Sequence, residues 1–469
     1  MEMDILPIII VLNAIFILAA MYAERANPQM LVLWMVLMGT LPLIGFILYL
    51  MFGQTFYSRY AFKRKRDDDA KSMIDPDKVR KFGLDPRSDG MSQALERSGA
   101  SQCLGGNDVR YVSESEDFFD SLFEAMEKAE HHLFLEYYIL RKDATGRRIL
   151  EILIEKAKAG VMVRLLVDEV GTRNLPKDLK KELKKAGGKV YTFHKISTLL
   201  LSAKKNNRNH RKIAVIDGKK AFVSGYNIGD EYLGKGKFGH WRDAAVIIEG
   251  PIVDCYTRVF LQDWRYASFE DLVNDRDLYC AEESGKDIPV QETHGGPDMP
   301  GTNSIHMQYV SIATASREQI WLTTPYLGPS DAVLYQLRLK ALAGADVRVI
   351  IPDIGDHVFV YWGNRYCASR LMDAGVKVYE YHDGFIHAKT MVGDGYYCAV
   401  GSANLDPRSM NLNFECNAMV YSEEVGKQMT QAFEKDLERC TEYTMEMYRN
   451  RTGIQRIKTF LSRFAAELL

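Results

Sequence analysis

Two copies of one short pattern constrain this chain more than anything else in it. His210-Arg211-Lys212-Ile213-Ala214-Val215-Ile216-Asp217 is echoed by His387-Ala388-Lys389-Thr390-Met391-Val392-Gly393-Asp394. Each reads His-x-Lys, four residues, Asp. Each is followed at the same offset by small residues and an asparagine: Ser224-Gly225-Tyr226-Asn227 and Gly401-Ser402-Ala403-Asn404. A duplicated pattern with matching downstream spacing implies two similar folding units that carry like chemistry to corresponding places.

The flanking sequence repeats as well. Leu133–Leu140, Ile149–Lys158 and Val161–Asp168 read as strand, helix, strand; Ile320–Thr324, Ala332–Ala343 and Asp346–Pro352 read the same way. Ala159-Gly160 before Val163-Arg164-Leu165 matches Ala343-Gly344 before Val347-Arg348-Val349. Ala186-Gly187 before Lys189-Val190-Tyr191 matches Ala374-Gly375 before Lys377-Val378-Tyr379. Alternating strands and helices predict an α/β fold, and the duplication predicts two halves related by a pseudo-twofold axis.

At 469 residues the chain has room for two or three domains. Its 60 Lys+Arg and 62 Asp+Glu nearly cancel, which leaves no global field to draw in nucleic acid. Seven cysteines stand apart with no Cys-x-x-Cys pair, so neither a disulfide framework nor a zinc site is expected.

Ile5–Tyr22 and Met30–Phe52 are uncharged runs of 18 and 23 residues, each long enough to cross a hydrocarbon core of ~30 Å. They predict an N-terminal transmembrane helical hairpin over residues 1–53. A cleaved leader fits poorly, because Glu2 and Asp4 occupy its start and a second run follows at once. Arg59, Lys63, Arg64, Lys65 and Arg66 come next, against Arg25 alone in the hairpin loop. That bias puts everything after residue 53 on the cytoplasmic side. The basic cluster either only sets topology or also touches anionic headgroups. Residues 54–108 read as a linker, 109–290 as the first domain, and 291–469 as the second, with a C-terminal amphipathic helix.

Two further stretches leave two readings open. The loop Lys195–Asn209 carries Leu199, Leu200 and Leu201 beside Lys204, Lys205 and Arg208; it either dips into a lipid interface or packs on the domain. Ile454, Ile457, Phe460, Leu461, Phe464 and Leu468 share one helical face, with Arg456, Lys458 and Arg463 off it. That face lies in an interface or packs on the domain.

Two histidines and two lysines at one site would supply what phosphodiester chemistry needs without a metal or other cofactor. One imidazole attacks phosphorus, the other protonates the leaving oxygen, and Lys212 and Lys389 hold the phosphoryl oxygens. Asn227 and Asn404 add hydrogen bonds. A catalytic imidazole needs its second nitrogen pinned, and Asp243 and Glu415 are the downstream carboxylates that can do it. Asp217 and Asp394 are placed with the catalytic set, a structural role at the strand ends being the alternative.

The paired motif resembles the phospholipase D superfamily, and the whole chain resembles bacterial cardiolipin synthases of that type. Further matches are Trp34…Leu41-Pro42…Gly45, Glu136-Tyr137-Tyr138-Ile139, Trp241-Arg242-Asp243, Thr324-Pro325-Tyr326, Asp406-Pro407-Arg408-Ser409 and Leu412-Asn413-Phe414-Glu415. The resemblance implies two phospholipase D-like α/β halves behind the membrane hairpin. It implies His210 as nucleophile, His387 as acid and base, and a reaction that joins two phosphatidylglycerols and releases glycerol. The expected partners are phosphatidylglycerol and the lipids of the cytoplasmic (inner) membrane, not nucleic acid. Another phosphatidyltransferase, a hydrolytic phospholipase or, at a greater distance, a nuclease would use the same motif; oligomeric state is left open.

Overall fold

The strands of the first half are β1 (Leu104–Val112), β2 (His132–Tyr137), β3 (Met162–Val167), β4 (Lys189–Thr192), β5 (Lys212–Ile216), β6 (Lys220–Ser224), β7 (Trp241–Arg242) and β8 (Ala245–Glu249). Those of the second are β9 (Ile288–Gly295), β10 (Gln319–Thr323), β11 (Asp346–Pro352), β12 (Lys377–Tyr381), β13 (Phe385–Ile386), β14 (Thr390–Gly393), β15 (Tyr397–Gly401), β16 (Glu415–Tyr421) and β17 (Cys440–Tyr443). This computed structural model describes residues 5–23, 28–52, 62–71, 84, 86–172, 175–193, 207–299, 303–356 and 358–468.

Fifteen of these strands form one sheet, in the order β4-β3-β2-β5-β6-β8-β1-β9-β16-β15-β14-β10-β11-β12-β17. The order reads the same from either end toward the middle, apart from the extra β17. The expected pseudo-twofold therefore passes between β1 and β9, which pair antiparallel at Leu104↔Val290 and Asn107↔Ile288. In each half the outer three strands are parallel and joined by helices, while the strand that follows a histidine pairs antiparallel.

The apolar strands are explained by burial on both faces. Along β2, Leu133, Leu135 and Tyr137 enter one core cluster and Phe134 another, as a period of two requires. The cluster containing Phe134 also takes in Val400, Phe414 and Ala418 from the second half, so the two halves share one core. The helix Ala144–Lys158 starts where Asp143 accepts a hydrogen bond from the Gly146 amide, and Gly160 follows its end at φ +93°. Its counterpart Asp331–Leu342 is capped by Ser330 and followed by Gly344 at φ +96°. The repeated Ala-Gly pairs are thus helix stops, where only glycine enters the left-handed region without strain.

Three departures from the sequence reading matter. The 23-residue apolar run is not one helix: Pro28–Thr40 and Pro42–Phe52 are separate, with a bend at Leu41, because Pro42 cannot donate to the helix ladder. Ile5–Ala23 packs on them through Asn13 Nδ2, which donates to the Met38 carbonyl at 3.1 Å, and the two shorter helices meet through Trp34 edge-on to Tyr49. Among the described residues no helix is long and apolar enough to cross a membrane.

Second, the segment read as a linker holds the helices Lys63–Asp69 and Pro86–Arg97 and the start of β1. Met91 and Leu95 sit in the core of the second half. With so few apolar residues, the periodicity was too weak to show these helices. Third, the helix Gly453–Leu468 lies against the helix Val358–Met372 with Thr459 and Ser462 buried, and it leaves Ile454, Ile457, Phe460 and Leu461 53–69% exposed. Residues 195–206 of the Lys195–Asn209 loop, and the side chains of Arg463, Phe464 and Leu468, lie outside the described residues.

Candidate active site

Each histidine stands one residue beyond a short parallel bridge between the halves. Asn209 bridges Phe414, and the His210 amide donates to the Phe414 carbonyl at 2.9 Å. Ile386 of β13 bridges Arg242 of β7, and the His387 amide donates to the Arg242 carbonyl at 2.7 Å. The residue after each bridge partner is a carboxylate. In consequence the pins cross: His210 Nδ1 is 2.9 and 3.0 Å from the two oxygens of Glu415, and His387 Nδ1 is 2.5 Å from Asp243 Oδ2. Neither half holds its own histidine.

Asp243 and Glu415 are fully buried, and the two are not equivalent. Glu415 accepts from the Ser402 hydroxyl at 2.5 Å and the Ser409 hydroxyl at 2.8 Å. At the position matching Ser402 the first half has Gly225, where a Cβ would come within 2.0 Å of Asp243 Oδ1. The shorter aspartate therefore demands glycine, and the longer glutamate is steadied by hydroxyls.

Lys212 Nζ donates to the His210 carbonyl at 2.7 Å. Lys389 Nζ donates to the His387 carbonyl and lies 2.7 Å from His387 Nδ1. Burial pushes His210 down to about 4, against Glu415, so its imidazole is neutral at neutral pH. Burial and then Lys389 lower His387, with Asp243 opposing. Burial and Lys389 push Lys212 down to about 7, and burial pushes Lys389 down to about 8. Burial alone would raise the two carboxylates, but Lys389 and His387 hold Asp243 below its usual range, and His210 and Lys212 do the same for Glu415.

Both histidines, Asn227 and Asn404 line one cavity of about 870 Å³. Ile139, Phe238, Trp241, Leu327, Val358 and Phe359 make much of its wall apolar. An acyl-bearing phosphodiester fits such a wall better than a polyanion does. Asn404 Oδ1 is buried without a hydrogen-bond partner among the described residues. Asn227, by contrast, is engaged: its Oδ1 accepts from the Ile139 amide and its Nδ2 donates to the Tyr232 hydroxyl.

Asp217 and Asp394 do not join this group. They sit at φ +56° and +50°, at the far ends of β5 and β14 from the histidines. Asp217 accepts from the amides of Glu130, His131 and His132; Asp394 accepts from those of Arg317, Glu318 and Gln319. Of the two readings the sequence left open, this geometry supports the structural one: each aspartate closes the turn that enters a parallel strand.

Tyr138, in the stretch Glu136-Tyr137-Tyr138-Ile139, also borders the site. Its ring lies edge-on to His210 at 5.1 Å, with Lys212 Nζ 5.6 Å from its centroid; Trp241 stands at 5.1 Å from His387. Both stand in the stretches Glu136-Tyr137-Tyr138-Ile139 and Trp241-Arg242-Asp243 that carry the resemblance, which was the available signal.

The sequence model of the family described as "Cardiolipin synthase, PLD-like domain" matches residues 122–264 and 309–437. The chain belongs to this family. It is 38% identical to the cardiolipin synthase of Geobacillus sp. (strain WCH70), over 99% of this chain and 94% of that one. It is also 38% identical to the cardiolipin synthase of Clostridium perfringens (strain 13 / Type A), with 95% of each chain covered. Phosphatidylserine synthase from Haemophilus influenzae Rd KW20 superposes with a TM-score of 0.62 at 15% identity, over 82% of this chain and all of that one, which is a likeness of fold. The family match covers both motifs, so the crossed histidine pair belongs to the part shared with cardiolipin synthases.

Proposed function

We propose that this chain is a cardiolipin synthase, a phosphatidyltransferase that moves the phosphatidyl group of one phosphatidylglycerol onto another and releases glycerol. The crossed His–carboxylate pairs facing one apolar cavity carry this reading, supported by the near full-length similarity to cardiolipin synthases.

The steps follow from which nitrogen is free. With Nδ1 held by Glu415, His210 presents Nε2 to phosphorus. As the N–P bond forms, the bond to the glycerol headgroup oxygen breaks and His387 gives that oxygen a proton. The phosphodiester anion itself favours the imidazolium at His387, which offsets the burial that lowers its pKa. In the second step the hydroxyl of another phosphatidylglycerol gives its proton to His387 and its oxygen attacks phosphorus, which frees His210. Lys212 and Lys389 bind the phosphoryl oxygens in both steps.

Membrane contact is supported by two observations. The N-terminal helices leave Ile10, Val11, Leu12, Leu18, Leu43 and Ile44 46–64% exposed. The C-terminal helix turns its polar Thr459 and Ser462 inward and Ile454, Ile457, Phe460 and Leu461 outward, the reverse of what water favours. Val358 and Phe359, also exposed, line the cavity. On this reading the protein sits in the cytoplasmic membrane with its catalytic halves on the cytoplasmic side, and a reporter fused after Leu469 works only there.

The test is product analysis with radiolabelled phosphatidylglycerol in vesicles. Labelled cardiolipin with free glycerol is expected; labelled phosphatidic acid alone would mean that water, not a lipid alcohol, is the acceptor.

A further inference from the structure

Lys65 stands in the basic run after the apolar N-terminal helices, yet it is 4% exposed. Its ammonium lies 2.6 Å from Asp69, 3.0 Å from Asp263 and 3.1 Å from Asp298. A buried ammonium persists only where carboxylates replace its water. Burial opposes the charge, but Asp263, Asp69 and Asp298 together hold the pKa above the ordinary lysine range. Asp263 belongs to the helix Val253–Ser268 of the first half, and Asp298 follows β9 in the second. Lys65 therefore joins both halves.

Two short routes lead from Lys65 to His210. Asp263 also pairs with the guanidinium of Arg211, the residue between His210 and Lys212, and Arg211 Nε donates to the Glu415 carbonyl at 3.2 Å. The other route is the ring of Phe414: Lys65 Nζ and Arg211 Cζ each lie 5.5 Å from its centroid, and buried Phe62 meets it edge-on at 5.1 Å. Phe414 supplies the carbonyl that takes the His210 amide, and its neighbour Glu415 holds the imidazole. Asp69 is held in turn by Arg265 at 3.1 Å.

We propose that Lys65 is a positioning residue for the His210–Glu415 pair, and that Phe62–Asp69 is a wall of the catalytic core rather than a free link to the apolar helices. This rests on the reading of His210 as nucleophile. Because ten peptide units separate Phe52 from Phe62, the core is tethered within about 35 Å of those helices.

The full-length Lys65→Met variant, in phosphatidylglycerol vesicles, tests this through kcat, KM, melting temperature and the rate at which labelled donor marks the protein after a basic quench. The expected result is a fall of at least about tenfold in kcat and in labelling rate, with KM within about twofold. Adding Asp298→Asn removes a carboxylate left without its cation and should recover part of kcat. A lower melting temperature with unchanged kcat and labelling rate overturns the positioning role. If Lys65→Met does not fold, Asp298→Asn alone is read in the same way: a severalfold loss of kcat at constant KM is expected, and full kcat contradicts the proposal. Wild type run in parallel separates the two readings. A wild type that makes no cardiolipin contradicts the functional reading, whereas active wild type with an equally active variant contradicts only this one.

Discussion

His210 and Glu415 are hydrogen-bonded at 2.9 Å across the boundary between the two halves, and Asp243 returns the contact to His387 at 2.5 Å. Each half thus orients the other's imidazole. Replacing Glu415 with Gln or Asp243 with Asn removes the charge that supports the ring while keeping its shape. Each should lower kcat by about 10²–10⁴-fold. Steady-state assays with labelled phosphatidylglycerol would show it, and wild-type kcat in either variant would mean that the crossing is only structural.

The lysines set an alkaline limit. Lys212 is pushed down to about 7 and Lys389 to about 8, first by burial. A lysine whose pKa is depressed is charged below that value and loses its charge as pH rises through it. Weakening of phosphodiester binding, read as a rising KM, should therefore begin between pH 7 and 8. A bound phosphodiester raises both lysines, so the limb in kcat lies at higher pH. A pH profile with flat KM and an alkaline limb confined to kcat would contradict this.

Much of this arrangement was legible in the sequence. The duplicated motif predicts two α/β halves and one site, because short-range spacing survives folding unchanged, and Asp243 and Glu415 stand downstream as carboxylates able to pin an imidazole. Which carboxylate serves which histidine was not legible, since the crossing depends on the bridges Asn209–Phe414 and Ile386–Arg242 between distant segments. Lys65 read as one more surface cation because nothing local announces Asp263 and Asp298. Asp217 and Asp394 look catalytic by recurrence, yet what recurs is a turn with positive φ.

The outward apolar face of the C-terminal helix makes a separate prediction. Ile457→Glu with Phe460→Glu puts charge where a bilayer would lie. KM for vesicle phosphatidylglycerol should rise by roughly tenfold or more, while activity on a soluble short-chain analogue stays near wild type. Equal KM on vesicles would remove this face from the membrane account.

The division of labour between the histidines is tested most directly by trapping the enzyme intermediate. Wild type, His210→Ala and His387→Ala are each mixed with labelled phosphatidylglycerol, quenched in base because phosphohistidine is acid-labile, and examined for labelled protein. Both variants should lose synthesis. His387→Ala should still accept label at His210 and react slowly with a nitrophenyl phosphodiester, whose leaving group needs no proton; His210→Ala should do neither. Label found on His387 in the His210→Ala protein would reverse the assignment, and full activity in either single variant would contradict the shared site.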